Sequence, residues 1–459
     1  MKNMLRTVTV VRSFSTQSSV LSPPPGAAMV RKLFRNASIY TPADKGSPLC
    51  GMRQAEVNRF EKGAIFTKDG KIAAVGDERS VLASIAPAHP DEEIDCLGRC
   101  IVPGFVDPHT HMCFASLREE EFIQRLEGMN YLEILERGGG ILSSVRSVRG
   151  ASEAELYSVC RGHALAALSF GTTTLEIKSG YGLDTQSELK MLRVIERIGR
   201  DLPLDVVPTF MGAHAIPGEY AGAADEYAAL IIDEMIPAIA QQAIARFCDL
   251  FCEKGVFSVD QGRRILEAAR KAGMGVKIHA DEVHDLGGAA LAAELRAISA
   301  EHLLSSTGEN IRAMARAGVI GILLPATAYS MQKEFAPARE MVKLGLPVAI
   351  GTDCNPGTSY TESMPFVFGL AVLGMRLSIS EALVASTLNA AYSIGMAEQA
   401  GSLDVGKNAD FILLDGESPA ILAYHAGVSP VMRVYKKAEL VYAHAKARSR
   451  EEEPGDAGL

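Results

Sequence analysis

No stretch of the sequence runs for the roughly 18 consecutive apolar residues that a membrane-crossing helix needs, so no membrane span is predicted. There is no CxxC pair either. Cys96/Cys100 and Cys248/Cys252 each enclose three residues, which fits neither a zinc ribbon nor a redox motif. The eight cysteines are read as buried, reduced thiols, which fits a reducing compartment. An excess of positive charge is also missing. The 46 Lys and Arg face 55 Asp and Glu, and the net charge of -9 argues against nucleic acid as the main partner. It says little about a small substrate, because the charge of a site is local. Finally, no acidic residue precedes Asp44. Lys2, Arg6, Arg12, Arg31, Lys32 and Arg35 are basic, and Ser13, Ser15, Ser18, Ser19 and Ser22 add a serine bias. Those are the marks of an organelle transit peptide. The other reading is a disordered extension with translation starting at Met29. On either reading 1–28 stand outside the fold.

What the chain does contain is material for a large core. It has 459 residues, 47% hydrophobic and 22% charged. A prior of ~150 residues per domain suggests about three domains, but a single α/β barrel can exceed roughly 200 residues. From 29 to 100 short apolar stretches alternate with turns, and Lys68-Asp69-Gly70-Lys71 reads as the turn of a hairpin. From 400 to 445 the β signals return. The two segments are expected to form one small β-sandwich domain, with 446–459 as a frayed tail.

Between them, over 101–399, apolar runs alternate with helical stretches such as 187–200 and 261–272. Eight strands are predicted, at 101–109, 172–178, 205–212, 246–251, 275–279, 297–302, 319–325 and 348–353. Eight strands with intervening helices spell a (β/α)8 TIM barrel. A doubly wound open sheet is the alternative. The barrel is favoured because polar residues gather at the carboxyl ends of the strands, where barrel active sites are built.

The polar ends begin with Val106-Asp107-Pro108-His109-Thr110-His111. Residues i and i+2 of a strand point the same way, so both imidazoles can reach one metal ion. His279 ends the fifth strand, His302 the sixth and Asp353 the eighth. Singly, each has a bland reading as a loop residue or helix cap. In a closed barrel, however, strands one and eight are neighbours, and these ends ring one mouth.

This pattern resembles the amidohydrolase superfamily. Pro103-Gly104-Phe105-Val106-Asp107-Pro108-His109-Thr110-His111, Lys178-Ser179-Gly180-Tyr181-Gly182-Leu183-Asp184, Thr209-Phe210-Met211-Gly212-Ala213-His214, His279-Ala280-Asp281-Glu282 and Thr352-Asp353-Cys354-Asn355-Pro356-Gly357-Thr358 resemble the imidazolonepropionase family. That family opens an imidazolone ring in histidine degradation. The resemblance covers roughly 30–445. It implies one zinc or iron ion held by His109, His111, His279 and Asp353, with His302 beside the metal-bound water. It implies that Arg118 holds the propionate of 4-imidazolone-5-propanoate, that Tyr181, His214 and Glu282 contact the ring and its amide, and that Asn355, Gly357 and Thr358 grip the glutamate-like end of the product, N-formimidoyl-L-glutamate. Glu282 is favoured as the catalytic base, with Asp353 relaying the proton to the leaving nitrogen. The resemblance also implies a homodimer. A cytoplasmic location is expected, or the mitochondrial matrix if 1–28 act as a transit peptide.

Other residues receive structural readings. Lys178 is read as part of a polar network, and Glu253 and Lys254 as an ion pair near the mouth. His89, His163, His284, His425 and His444 are read as surface or structural. Gly138-Gly139-Gly140 is read as a mobile loop over the mouth. One rival function is an amidohydrolase-type deaminase of a purine or pyrimidine, which has no need of the Arg118 clamp. The other is a barrel scaffold without catalysis, which has no need of a complete ligand set.

Overall fold

Alternating apolar and polar residues build the first sheet, and a tight turn sets its register. The computed structural model describes residues 30–86, 89–129, 133 and 139–445. The readings of 1–28, 446–459 and Gly138 lie outside the described residues. The strands are β1 (Arg31–Pro42), β2 (Val57–Lys68), β3 (Lys71–Asp77), β4 (Glu92–Asp95) and β5 (Cys100–Pro103), joined late in the chain by β14 (Phe411–Leu414), β15 (Val431–Lys436) and β16 (Glu439–Ala443). Asp69 and Gly70 take φ of 53° and 74°, the left-handed pair that a two-residue hairpin favours, and Lys68 pairs with Lys71 as predicted. The strand order is β16-β15-β14-β5-β1-β2-β3, with β4 alongside β1. The first and last described strands thus meet in one sheet. The rings of Phe34 on β1, Phe411 on β14 and Tyr435 on β15 pack within 5.0 Å of one another, although three positions separate β1 from β15. The sheet therefore curls around its own apolar core.

The second sheet is the barrel. Its strands are β6 (Phe105–Asp107), β7 (Thr172–Lys178), β8 (Asp205–Ala213), β9 (Phe247–Cys252), β10 (Gly275–Ala280), β11 (Ser299–His302), β12 (Ile320–Leu323) and β13 (Val348–Ile350). They pair in parallel and in chain order. Just beyond the carboxyl ends of β6 and β13 the ring is joined. Asp353 N donates to His109 O at 3.0 Å, and His111 N donates to Cys354 O at 2.9 Å. Asp107 reinforces the seam by accepting from Thr352 N at 3.0 Å. The open doubly wound sheet is thereby excluded. Helices cover the outside, and their starts are written locally. Ser258 and Gln261 form a capping box at Val259–Lys271, and Asp184 accepts from Ser187 N at the start of Thr185–Asp201.

One predicted strand divides. The run 101–109 reads as continuous from its hydrophobicity, but its first part belongs to the small sheet and its second to the barrel. The break falls at Gly104. Its N–H donates to Asp410 O, whereas that of Phe105 donates to Gly171 O. A Cβ at Gly104 would lie 2.3 Å from Thr173 Oγ1. Only glycine lets the chain pass this close to β7 as it changes sheets.

A candidate metal centre at the barrel mouth

The histidines are aimed by the strands that carry them. His109 and His111 follow β6 and are held to the segment after β13 by the two backbone hydrogen bonds at the seam. His279 lies within β10 and His302 ends β11. His302 and Asp353 take left-handed φ of 69° and 51°, a conformation that costs a non-glycine residue of order 1–3 kcal/mol and that turns their side chains inward at the strand ends.

The five side chains converge. Donor atoms of His109, His279 and His302 lie within 4.8 Å of one another, as do those of His109, His111 and Asp353. His111 Nε2 is 3.1 Å from His279 Nε2, and Asp353 Oδ1 is 3.5 Å from His109 Nε2 and 3.7 Å from His111 Nε2. Ligands about 2.05 Å from a tetrahedral zinc stand about 3.3 Å apart, so the spacing suits one ion. Both ring nitrogens of His109 are buried without a hydrogen-bond partner. A buried imidazole left so costs about 1–3 kcal/mol, and an ion would remove that cost. The charge states fit as well. Burial, assisted by Lys178, pushes His109 well below its usual pKa, and burial with His214 does the same to His111. Burial takes His279 to about 3 against the pull of Asp249. Neutral imidazoles keep the lone pairs that ligation needs.

The remaining predicted residues surround this point. His214 stacks on His111, with centroids 4.7 Å apart and planes 20° apart, and its Nδ1 lies 3.0 Å from Gly180 O. That contact assigns the Nδ1 proton and leaves Nε2 as an acceptor. The Tyr181 ring is 5.3 Å from that of His214. Glu282 Oε2 is 3.8 Å from His302 Nε2. Arg118 lies against Gly357 and gives Nε and Nη2 to Glu121 Oε2 at 3.0 and 2.7 Å. Asn355 is taken up by its own loop. Its Oδ1 accepts from Gly357 N and Thr358 N, and its Nδ2 donates to Asp353 O.

Sequence reasoning missed several contributors. Thr327 Oγ1 donates to Asp353 Oδ2 at 2.6 Å, and Glu121 accepts from Gly140 N at 3.0 Å. Glu176, Asp249, Lys277 and Glu301 join Lys178 in a fully buried cluster. The signal was present as charged residues at alternate positions inside apolar strands. The polar-network reading of Lys178 is thus borne out. The expected Glu253–Lys254 ion pair is replaced. Glu253 accepts from the N–H groups of Lys254, Val283 and His284, and its Oε1 is 2.8 Å from His284 Nδ1. A carboxylate this enclosed gains more from several fixed donors than from one flexible ammonium. His163, buried beside Phe114, lies 2.8 Å from Glu362, which is a structural role. All eight cysteines are free, and all but Cys50 are buried.

The sequence profile of the amidohydrolase family matches residues 100–441. The chain is 68% identical over 410 residues to the imidazolonepropionase of Syntrophobacter fumaroxidans, covering 89% of this chain and 97% of that protein. It is 59% identical to the imidazolonepropionase of Desulfotalea psychrophila, covering 90% of this chain and 100% of the other. Among solved structures, E. coli guanine deaminase matches with a TM-score of 0.68 at 16% identity, over 90% of this chain and all of that one. A triazine hydrolase variant matches with a TM-score of 0.66 at 19% identity, over 90% of this chain and 95% of that one. At such identities these structures share the fold alone. Among the described residues no helix is long and apolar enough to cross a membrane.

Proposed function

The chain belongs to the amidohydrolase family and, within it, to the imidazolonepropionases, and from that premise we propose how its own residues divide the work. The reaction is hydrolysis of one C–N bond of a cyclic amide. Water oxygen joins the carbonyl carbon of 4-imidazolone-5-propanoate, the ring nitrogen takes a proton, and N-formimidoyl-L-glutamate results. The observation that carries the assignment of roles is the convergence of His109, His111, His279 and Asp353 Oδ1 at one point of the mouth.

These four would hold a single divalent ion, zinc or iron, since imidazole and carboxylate ligands accept either. When bound, the ion supplies Lewis acidity, which brings the pKa of water from ~15.7 towards ~7. Glu282 takes the proton of the attacking water, with His302 beside it at 3.8 Å. Asp353 relays a proton to the leaving nitrogen. Without the ion, burial raises its carboxyl to about 6, partly offset by His302. His214 and Tyr181 bind the ring, and the Arg118 fork pairs the propionate. Gly357 and Thr358 present the loop that Asn355 organises to the glutamate-like end of the product. The active protein is a cytoplasmic homodimer, or a matrix one if 1–28 direct it there, and light scattering of the purified protein reads the oligomeric state.

The test is turnover of freshly generated 4-imidazolone-5-propanoate with and without a strong chelator. Chelator-sensitive formation of N-formimidoyl-L-glutamate, restored by zinc or iron, is expected. The Arg118→Ala protein is expected to lose substrate affinity. Turnover indifferent to both treatments would overturn this reading.

A further inference from the structure

Four strands send charged side chains into the barrel behind His279. Glu176 and Lys178 come from β7, Asp249 from β9, Lys277 from β10 and Glu301 from β11, and none is exposed. Lys178 Nζ lies 2.7 Å from Glu176 Oε2 and 2.8 Å from Asp249 Oδ2. Lys277 Nζ lies 2.7 Å from Glu176 Oε1 and 3.7 Å from Glu301 Oε1. Such an array is dearer than an apolar filling of the same volume, so stability alone does not account for it.

One edge of the array touches the metal centre. His279 Nδ1 is 3.1 Å from Asp249 Oδ2 and 3.7 Å from Glu301 Oε2. Its other nitrogen, Nε2, faces His111 Nε2 at 3.1 Å. A neutral imidazole carries one N–H, and the group that accepts its hydrogen bond decides which nitrogen offers a lone pair.

We propose that Asp249 is the positioning residue of the metal centre. Paired with Lys178, its carboxylate accepts a hydrogen bond from Nδ1–H of His279 and so fixes the ring with Nε2 turned to the ion. Glu301 is poorly suited to this role. It is farther away, and its Oε1 accepts from Ser299 Oγ at 2.6 Å. Lys178 supplies what Asp249 needs to remain a charged acceptor without water. The proposal rests on His279 being a ligand.

The experiment measures zinc affinity of the folded protein by competition with a chromophoric chelator, for wild type, Asp249→Asn and Ser299→Ala. Wild type is expected to bind one zinc. Asp249→Asn is expected to bind it about 10–100-fold more weakly, the usual loss when such a partner of a ligating histidine is removed. Ser299→Ala perturbs the same cluster away from His279 and is expected to bind as wild type does. In parallel, NMR of histidine-labelled, metal-free wild type is expected to place the proton of His279 on Nδ1, assigned by its absence in His279→Gln. Equal zinc affinity of Asp249→Asn and wild type would overturn the proposal, as would a His279 proton on Nε2. If Asp249→Asn does not fold, the tautomer decides. If wild type binds no zinc or iron, the ligand reading itself fails and takes the proposal with it.

Discussion

Thr327 Oγ1 donates to Asp353 Oδ2 at 2.6 Å, which leaves Asp353 Oδ1 free to face the nitrogens of His109 and His111 at 3.5 and 3.7 Å. One hydroxyl thus decides which carboxylate oxygen faces the histidines. Replacing it by an isosteric methyl in Thr327→Val frees the carboxylate to rotate. Zinc affinity should fall about 10–100-fold. The lost hydrogen bond should cost about 1 kcal/mol of apoprotein stability. Chelator competition checks the first and denaturant unfolding the second. Unchanged affinity would show that the burial of Asp353 orients it unaided.

Gly357 is where the loop organised by Asn355 meets Arg118. A Cβ there would lie 2.5 Å from Arg118 Nη1 and 2.9 Å from its Cζ. The clash is with the end of a flexible side chain, so Gly357→Ala should fold with nearly unchanged stability and displace the guanidinium. A displacement of that size should lower kcat/KM about tenfold to a hundredfold, mostly through KM. Steady-state kinetics with 4-imidazolone-5-propanoate decide it, and wild-type KM would place the propionate elsewhere.

Glu381 gives a pH dependence whose sign is fixed. It accepts from Arg339 Nη1 at 2.7 Å and, as the third residue of its helix, from Ser378 N at 2.7 Å. The Arg339 hydrogen bond leads in lowering its pKa to about 2. Its unfolded value is about 4.3. The stabilisation is therefore present above pH ~4.3 and is lost as pH falls through about 2. Because Arg339 is partly in solvent, the effect should be about 1 kcal/mol. The gap in apparent Tm between wild type and Glu381→Gln should be full at pH 6 and shrink steadily on acidification. A gap independent of pH would refute the assignment.

Gly104→Ala should be among the more damaging single methyl additions. The new Cβ would meet Thr173 at 2.3 Å from Oγ1 and 2.4 Å from Cγ2, and Thr173 is fully buried in β7. Overpacking at such a site costs about 1–3 kcal/mol. Urea unfolding should show a lower midpoint, with kcat little changed because the mouth lies past the other end of β6. A wild-type midpoint would mean that β6 and β7 separate easily at this point.

The histidines of the candidate metal centre were legible because their information is local. The two-residue period puts His109 and His111 on one side, and each of His279, His302 and Asp353 ends a predicted strand. The same signal located the eight barrel strands, most ends to within a residue or two. It misjudged 101–109, since Cys100–Pro103 and Phe105–Asp107 are equally apolar, and only the crowding of Gly104 against Thr173 separates the sheets they join.

The sequence by itself determined the kind of fold, the strand ends and which side chains gather at the barrel mouth, because alternation, turns and residue chemistry are properties of short segments. Only the tertiary structure decided how those side chains are held. Thr327 reaches Asp353 from 26 residues away, Asp249 reaches His279 from the neighbouring strand, and Lys178 neutralises Asp249 across the barrel interior. A buried charge or a rotatable carboxylate is fixed by whatever the closed barrel brings within about 3 Å of it. That proximity is set by strand register and ring closure, and no single segment encodes either.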